Sequence, residues 1–225
     1  RYCSPTRSSL LSGRLPIHVN EMNANNDQPG FGVDVRMTML PRKLQAAGYV
    51  SYQYAKWHMG LSSADRIPLS RGFNKSFGFL GGGEDHNTQV AGPMCHGQKT
   101  VDLWQDLGPA IGWNGTYSAY LYTQQAVRDI MQHNSAVPMF MYFAAQEVHA
   151  PYQSPQRFLN LYNNSCSWCK DETKTVMAMV SAADESLANI TAALQAKGMW
   201  AHTLLLFSGE WKQSPGPVQC VLLTC

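Results

Sequence analysis

The feature that most constrains the fold is an uninterrupted apolar run from Met139 to Ala145. A short continuous apolar run is typical of a strand buried on both faces of a parallel sheet. Segments with helical periodicity, Thr116–His133 and Glu172–Lys197, precede this run and the apolar segment Thr203–Phe207. Alternating helices and strands predict an α/β domain with a mainly parallel sheet covered by helices on both faces.

Polar side chains follow two of the predicted strands. His149 comes shortly after the apolar run, and Lys56 and His58 follow the β-prone segment Tyr49–Tyr54. Open α/β sheets bind ligands at the carboxyl ends of their strands, which makes these three residues candidates for a site. Lys56 and His58 are two residues apart and would share one face of an extended segment. The structural alternatives are a solvated strand end and a loop histidine before the turn-forming Pro151.

The N-terminal stretch Cys3-Ser4-Pro5-Thr6-Arg7 combines a nucleophile with a predicted helix start. Pro5 is tolerated in a first helical turn, and Gly13 is a suitable helix C-cap. Free N–H groups and the positive dipole end attract sulfate or phosphate at such a terminus, and Arg7 lies about one turn further on. The alternative is a small buried cysteine before an ordinary surface helix.

These motifs together resemble those of the type I sulfatases of the alkaline phosphatase superfamily. The first stretch and its Leu-x-Gly-Arg ending at Arg14 resemble the signature whose cysteine is oxidised to formylglycine by a formylglycine-generating enzyme. Ala55–Gly60 resembles the family's Gly-Lys-Trp-His-Leu-Gly, with Ala55 for glycine, and His149-Ala150-Pro151 matches its His-x-Pro. Arg71–Asp85 is most similar to the arylsulfatase B type, the N-acetylgalactosamine-4-sulfatases, with Gly83 in place of a serine.

The resemblance implies a role for each motif residue. Cys3 would become the formylglycine hydrate, one hydroxyl of which attacks the sulfur while the other expels sulfate as the aldehyde re-forms. Arg7 and Lys56 would hold the sulfate oxygens. His58 would orient or deprotonate the hydrate, and His149 would bond the bridging oxygen and protonate the leaving alcohol.

The resemblance also implies a divalent cation, usually Ca²⁺, which takes several oxygen ligands. Two ligands in the family precede the cysteine, and this sequence begins at Arg1. Two others lie in an Asp-Asn-Gly turn, where this chain has Gly209-Glu210-Trp211. Cys3, as formylglycine, and Glu210 are therefore the predicted metal ligands. We expect an incomplete sulfatase-like catalytic domain over residues 1–208 and a divergent tail over residues 209–225.

Composition narrows the classes of partner. A net charge of +2 and 14% charged residues give no basic patch for nucleic acid. The longest apolar run is far shorter than the roughly 18 to 20 residues of a membrane-spanning helix. The sequence therefore predicts neither a nucleic-acid partner nor a membrane span.

Cysteine and asparagine patterns favour the secretory route, with a lysosomal or extracellular location. Among six cysteines, Cys166 and Cys169 form a single Cys-x-x-Cys, for which a disulfide is favoured over a zinc half-site or a redox pair. Four sequons predict N-glycosylation of exposed asparagines. These asparagines are Asn74, Asn114, Asn163 and Asn189.

Three functions remain open from the sequence. The favoured one is an arylsulfatase-like sulfuric ester hydrolase acting on sulfate esters, with sulfated sugars among the candidate substrates. The second is a catalytically inactive sulfatase-like fragment that binds sulfated ligands. The third is a phosphoryl-transfer enzyme of the same superfamily, which would be expected to use a hydroxyl nucleophile where this chain has Cys3.

Overall fold

The computed structural model describes residues 3–20, 22, 30–93, 98–210 and 219–224, the last segment and residues 93 and 210 by their backbone. Five α-helices are described: α1 Cys3–Ser12, α2 Leu40–Ala46, α3 Ser118–Gln132, α4 Gln156–Leu159 and α5 Asp171–Ala196. The strands described are β1 Val50–Lys56, β2 Lys75–Phe79, β3 Val90–Pro93, β4 Lys99–Val101, β5 Trp104–Gln105, β6 Gly108–Pro109, β7 Met139–Ala144, β8 Leu205–Glu210 and β9 Gln219–Thr224.

One mixed sheet organises the described residues. Its strand order is β6-β5-β2-β1-β7-β9-β8, and β3 and β4 form a separate hairpin. Strand β1 pairs in parallel with both β2 and β7. Strands β5 and β9 run antiparallel to their neighbours, so the remaining strands of the sheet all share one direction. The predicted mainly parallel sheet is confirmed.

The apolar run behaves as a strand buried on both faces. Every residue of β7 is buried. Met139, Met141 and Phe143 pack on one face against the apolar sides of α3 and α5. Phe140 and Tyr142 pack on the opposite face with residues of α1 and α2 and the segment after β1. Alternate side chains point to opposite faces, so both faces are covered as the sequence predicted.

The end of the chain differs from the predicted strand boundaries. Strand β8 runs on through Glu210, three residues beyond the predicted end at Phe207. The segment expected to be a divergent tail contributes β9, which lies antiparallel between β7 and β8. Strand pairing depends on which partner is available in the folded chain, and this information is absent from the local sequence.

Two findings concern the disulfide prediction and the lengths of the helices. Cys166 and Cys169 form the favoured disulfide in the turn before α5. Within the described ranges, no helix is both long and apolar enough to span a bilayer.

Candidate active site

Arg7 ties helix α1 to the carboxyl ends of two central strands. Its side chain is buried, and its Nη1 donates to the backbone oxygen of Lys56 at 2.9 Å and to the hydroxyl of Tyr142 at 3.2 Å. A guanidinium presents several donors in one plane and stays charged at all relevant pH values. Arg7 therefore places a permanent positive charge beneath the end of the sheet.

Lys56 and His58 follow one another where β1 ends, and both are buried. The backbone N–H groups of Trp57 and His58 donate to the carbonyls of Phe79 and Leu80, which continues the parallel alignment past the strand. His58 has a positive φ of 56°, a conformation that is uncommon outside glycine. Its Nδ1 has no hydrogen-bond partner among the described residues.

His149 lies in the loop after β7, next to Val148, whose φ is also positive at 65°. Its Nδ1 lies 2.7 Å from the backbone oxygen of Ala150. A carbonyl oxygen only accepts hydrogen bonds, so Nδ1 carries the proton of the neutral ring and Nε2 keeps its lone pair. The ring edge also faces Gly83, where an added Cβ would lie 3.2 Å from Cε1.

The two imidazoles share a positive environment. Burial lowers the pKa of His58 well below its usual value, and the charges of Lys56 and Arg7 lower it further. Burial and the Lys56 charge also lower the pKa of His149 to about 4. Both rings are therefore neutral at pH 7, and the fixed charges that act on them are the cations of Lys56 and Arg7.

Cys3 is the first residue of α1 and has a partly accessible free thiol. Residues four apart share one face of a helix, so Cys3 lies one turn from Arg7 on the same face. The structure thus brings Arg7, Lys56, His58 and His149 together at one end of the sheet, and Cys3 lies one helical turn from Arg7.

Three buried carboxyl groups follow strands β2, β4 and β7. Burial raises the pKa of Glu84 well above its usual value, and burial also raises the pKa of Asp102 and of Glu147. Glu84 accepts a hydrogen bond from the hydroxyl of Tyr122, and its other carboxyl oxygen has no partner among the described residues. The raised pKa values favour the neutral forms of these three groups.

His86 holds the loop that carries His149. Its Nε2 lies 3.1 Å from the backbone oxygen of His149, and its Nδ1 lies 2.9 Å from the hydroxyl of Ser118 at the start of α3. Because the carbonyl oxygen accepts, Nε2 carries the ring proton and donates, and Nδ1 accepts a hydrogen bond from the Ser118 hydroxyl. The side chain of Gln153 adds a second link, because it accepts from the backbone N–H of His86 and donates to the Asp85 carboxylate.

Glu84, His86 and Gly82 were missed as functional candidates. An added Cβ on Gly82 would lie 2.9 Å from both Cε1 and Nε2 of His58, so this glycine sets the space available to that ring. The only signal of these residues in the sequence was the run of three glycines, Gly81-Gly82-Gly83. A closely approached backbone is one reason for a glycine, but the approaching residue cannot be identified from the sequence.

The described residues do not test Cys3 and Glu210 as a pair of metal ligands. No group of three or more His, Cys, Asp or Glu side chains forms a metal site among these residues. The side chain of Glu210 lies outside the described residues. All four sequon asparagines are exposed, although Asn74 accepts a hydrogen bond from the Ser51 N–H.

Sequence comparisons with known proteins identify the family of the chain. The sulfatase family model matches residues 1–210. Arylsulfatase J of Mus musculus is 32% identical over 213 residues, covering 92% of this chain and 34% of that protein. N-acetylgalactosamine-6-sulfatase of Homo sapiens is 31% identical over 169 residues, covering 70% of this chain and 32% of that protein. The chain therefore spans about one third of these relatives.

A solved structure extends the agreement to the fold. The crystal structure of Ps i-CgsB in complex with k-i-k-neocarrahexaose has a TM-score of 0.79 and 22% sequence identity. The match covers 99% of this chain and 55% of that chain. Since the family model spans nearly the whole sequence, the chain belongs to the sulfatase family.

Proposed function

We propose that this protein hydrolyses sulfate esters at the site formed by Cys3, Arg7, Lys56, His58 and His149. One observation carries the proposal: two buried basic side chains, Lys56 and Arg7, lie beside two imidazoles whose pKa values burial lowers. The positive charges of both side chains act on both imidazoles, which makes this end of the sheet suited to an anionic group. A sulfate ester supplies one negative charge spread over three oxygens, which suits these donors.

Binding begins with the cations. Lys56 and the amino end of α1 face the sulfate oxygens, and Arg7 contributes its charge from beneath through its fixed contact with the Lys56 carbonyl. The positive end of the helix dipole adds to this attraction. The donors are already ordered before substrate arrives, so little reorganisation is needed when negative charge develops.

Cys3 is the residue that we propose to be converted to formylglycine by a maturation enzyme. When hydrated, that group supplies one hydroxyl for attack on sulfur and a second for release of sulfate. Cys3 suits this conversion because its thiol is free and partly accessible at the start of α1. His58, neutral and buried at the adjacent strand end, accepts a proton from the attacking group.

His149 is proposed as the proton donor to the leaving alcohol. Its neutral ring holds the proton on Nδ1, so donation from Nε2 requires the cationic form. The positive charges of Lys56 and Arg7 oppose that form before substrate binds. A bound sulfate ester offsets these charges and raises the pKa of His149, so the acid forms when it is needed.

Calcium belongs to this proposal only through the resemblance to the family. Cys3 as formylglycine and Glu210 are the candidate ligands that the sequence offers. The described residues do not assemble a set of oxygen ligands of the kind that calcium requires. We therefore assign no step of the reaction to a metal ion.

Sulfated sugars are the proposed substrates. The relatives include N-acetylgalactosamine-6-sulfatases, and the structure of BT4656 contains its substrate D-glucosamine-2-N,6-O-disulfate. The exposed asparagines Asn74, Asn114, Asn163 and Asn189 support glycosylation in the secretory pathway, with a lysosomal or extracellular destination.

The test combines the state of Cys3 with turnover. The protein is isolated from its natural source, and the tryptic peptide Tyr2–Arg7 is analysed by mass spectrometry. Replacement of the thiol by a carbonyl, together with hydrolysis of an aryl sulfate that Cys3→Ala abolishes, supports the proposal. An unmodified Cys3 with sulfate binding but no turnover favours the inactive binding protein. A strong preference for a phosphate ester favours the phosphoryl-transfer alternative.

A further inference from the structure

A cleft of about 570 Å³ is lined in part by His149. Clefts that bind small molecules commonly have volumes of roughly 300–1,000 Å³. The residues that shape it include Gly82, Gly83, Asp85, Lys99, His149 and Pro151. A leaving alcohol that receives its proton from His149 must extend from that ring, which places the rest of the substrate in this cleft.

Small residues keep the cleft open. Gly82 and Gly83 line the wall nearest the two histidines, and a side chain at Gly83 would crowd the ring of His149. The β3–β4 hairpin also lines the cleft, where Ala91 and Gly92 have small or no side chains. These small residues leave room for a substrate next to His149.

Two charged residues that line this cleft, Asp85 and Lys99, differ in their interactions with neighbouring groups. Hydrogen bonds from Gln153, Thr88 and Asn87 outweigh partial burial and lower the pKa of Asp85 to about 2. Its oxygens already accept from these groups, so this carboxylate serves to hold the loop. Lys99, the first residue of β4, is exposed and forms no salt bridge within the described part of the chain.

We propose that this cleft binds the sugar that carries the sulfate ester, and that Lys99 selects sugars with a second anionic group. This inference rests on the proposed function and names the substrate class of the same site. An ammonium on a flexible stem suits a sulfate or a carboxylate equally, because it acts as a point charge with rotatable donors. The preferred substrates are therefore sugars with at least two negative charges.

The test compares two sugars that differ at one nitrogen. Binding of N-acetylglucosamine 6-sulfate and of D-glucosamine-2-N,6-O-disulfate to the 225-residue chain is measured by calorimetry. The disulfated sugar should bind more tightly. Lys99→Gln should reduce this preference by about fivefold, the value of one partly exposed charge pair. Lys43→Gln, which removes an exposed lysine of α2 away from the cleft, should leave the preference unchanged.

Two further measurements make the result decisive. Amide NMR signals of Gly82, Gly83 and Gly92 should shift with either sugar but much less with inorganic sulfate. A glucuronic acid 2-sulfate probe tests whether a carboxylate replaces the second sulfate. Loss of the preference in Lys99→Gln for either anion supports the proposal.

Two outcomes overturn it in different ways. If inorganic sulfate binds and Lys56→Met abolishes that binding, but Lys99→Gln keeps the full preference or the glycine signals stay unchanged, only the cleft proposal fails. If inorganic sulfate does not bind at all, the proposed function fails and the cleft proposal fails with it.

Discussion

Two groups of buried titratable side chains meet at the carboxyl end of the sheet, and burial acts on them in opposite directions. Among the basic groups, burial lowers the pKa of His58 and His149 and so removes their protons. Among the acidic groups, burial raises the pKa of Glu84 and Glu147 and so favours keeping theirs. Desolvation disfavours the charged form in each case.

The comparison separates groups that burial can neutralise from one that it cannot. A carboxyl group or an imidazole becomes neutral by gaining or losing one proton, whereas a guanidinium has no accessible neutral form. Arg7 donates to the backbone oxygen of Lys56 at the same end of the sheet, so a positive group lies next to the imidazoles there.

The largest effect should follow removal of one fixed cation. Lys56→Met keeps a linear side chain of similar length but removes the charge. We expect an aryl sulfate to be hydrolysed about 100- to 1,000-fold more slowly, the usual cost of losing one preorganised donor. Steady-state kinetics measures this, and Lys75→Met is the control because Lys75 pairs with Asp129 away from the site. A loss below tenfold would exclude Lys56 as a residue that binds the sulfate oxygens.

The second prediction concerns His149, one of the basic groups in the comparison, and the stability of the fold at acid pH. An unfolded histidine titrates near pH 6.5, whereas the folded pKa of His149 is about 4. As the pH falls from 6.5 to 4, the unfolded chain binds a proton that the folded chain does not, so stability is lost. His149→Gln should abolish this part of the loss, worth roughly 3 kcal/mol at pH 4.

Denaturant titrations of the parent and of His149→Gln at several pH values provide the measurement. The difference between the two proteins is the informative quantity, because Glu84, Asp102 and Glu147 titrate with the opposite sign. Their raised pKa values stabilise the fold at low pH, and this contribution cancels in the difference. Parallel pH profiles for the two proteins would contradict the lowered pKa of His149.

The third prediction tests the glycine that makes room for His58. Gly82→Ala would place a Cβ 2.9 Å from the imidazole, so the ring must move. Displacing a catalytic group by a fraction of an ångström should reduce kcat about tenfold. Gly108→Ala is the matched control, since a Cβ there would meet no atom within 4 Å. Equal kcat values for Gly82→Ala and the parent would show that the position of His58 is not critical.

The sequence predicted the central sheet and the residues at its edge because both depend on local patterns. An apolar run identified β7, and the polar residues after β1 and β7 identified Lys56, His58 and His149. One departure from the family motif lies at a position with an unusual backbone conformation. Ala55 stands where the family has glycine, and its φ of 63° is a conformation that glycine adopts more easily.

What the sequence could not predict depends on approach between distant segments. Gly82 matters because His58 packs against it, and His86 matters because it reaches the carbonyl of His149. Strand β9 lies in the segment that was predicted to be a divergent tail. Its pairing with β7 and β8 is set by the folded sheet. None of these contacts leaves a periodic or compositional signal.

The smallest predicted effect tests the acidic side of the comparison. Glu84→Gln keeps an oxygen to accept from Tyr122 and removes a group that must lose a proton as the pH rises. Because the folded pKa of Glu84 is raised, the parent is most favoured below the unfolded pKa near 4.5 and loses stability above it. The variant should therefore gain stability relative to the parent between pH 5 and 9, by less than about 1 kcal/mol at pH 7.

Glu185→Gln is the matched control, with the opposite sign. A hydrogen bond from Arg157 lowers the pKa of Glu185, so the carboxylate stabilises the fold above the unfolded pKa. This pair is partly exposed, and its removal should cost less than about 1 kcal/mol at pH 7. Thermal unfolding of both variants across this pH range should show midpoints that move in opposite directions from the parent. If both variants lose stability together, burial does not hold Glu84 in its neutral form.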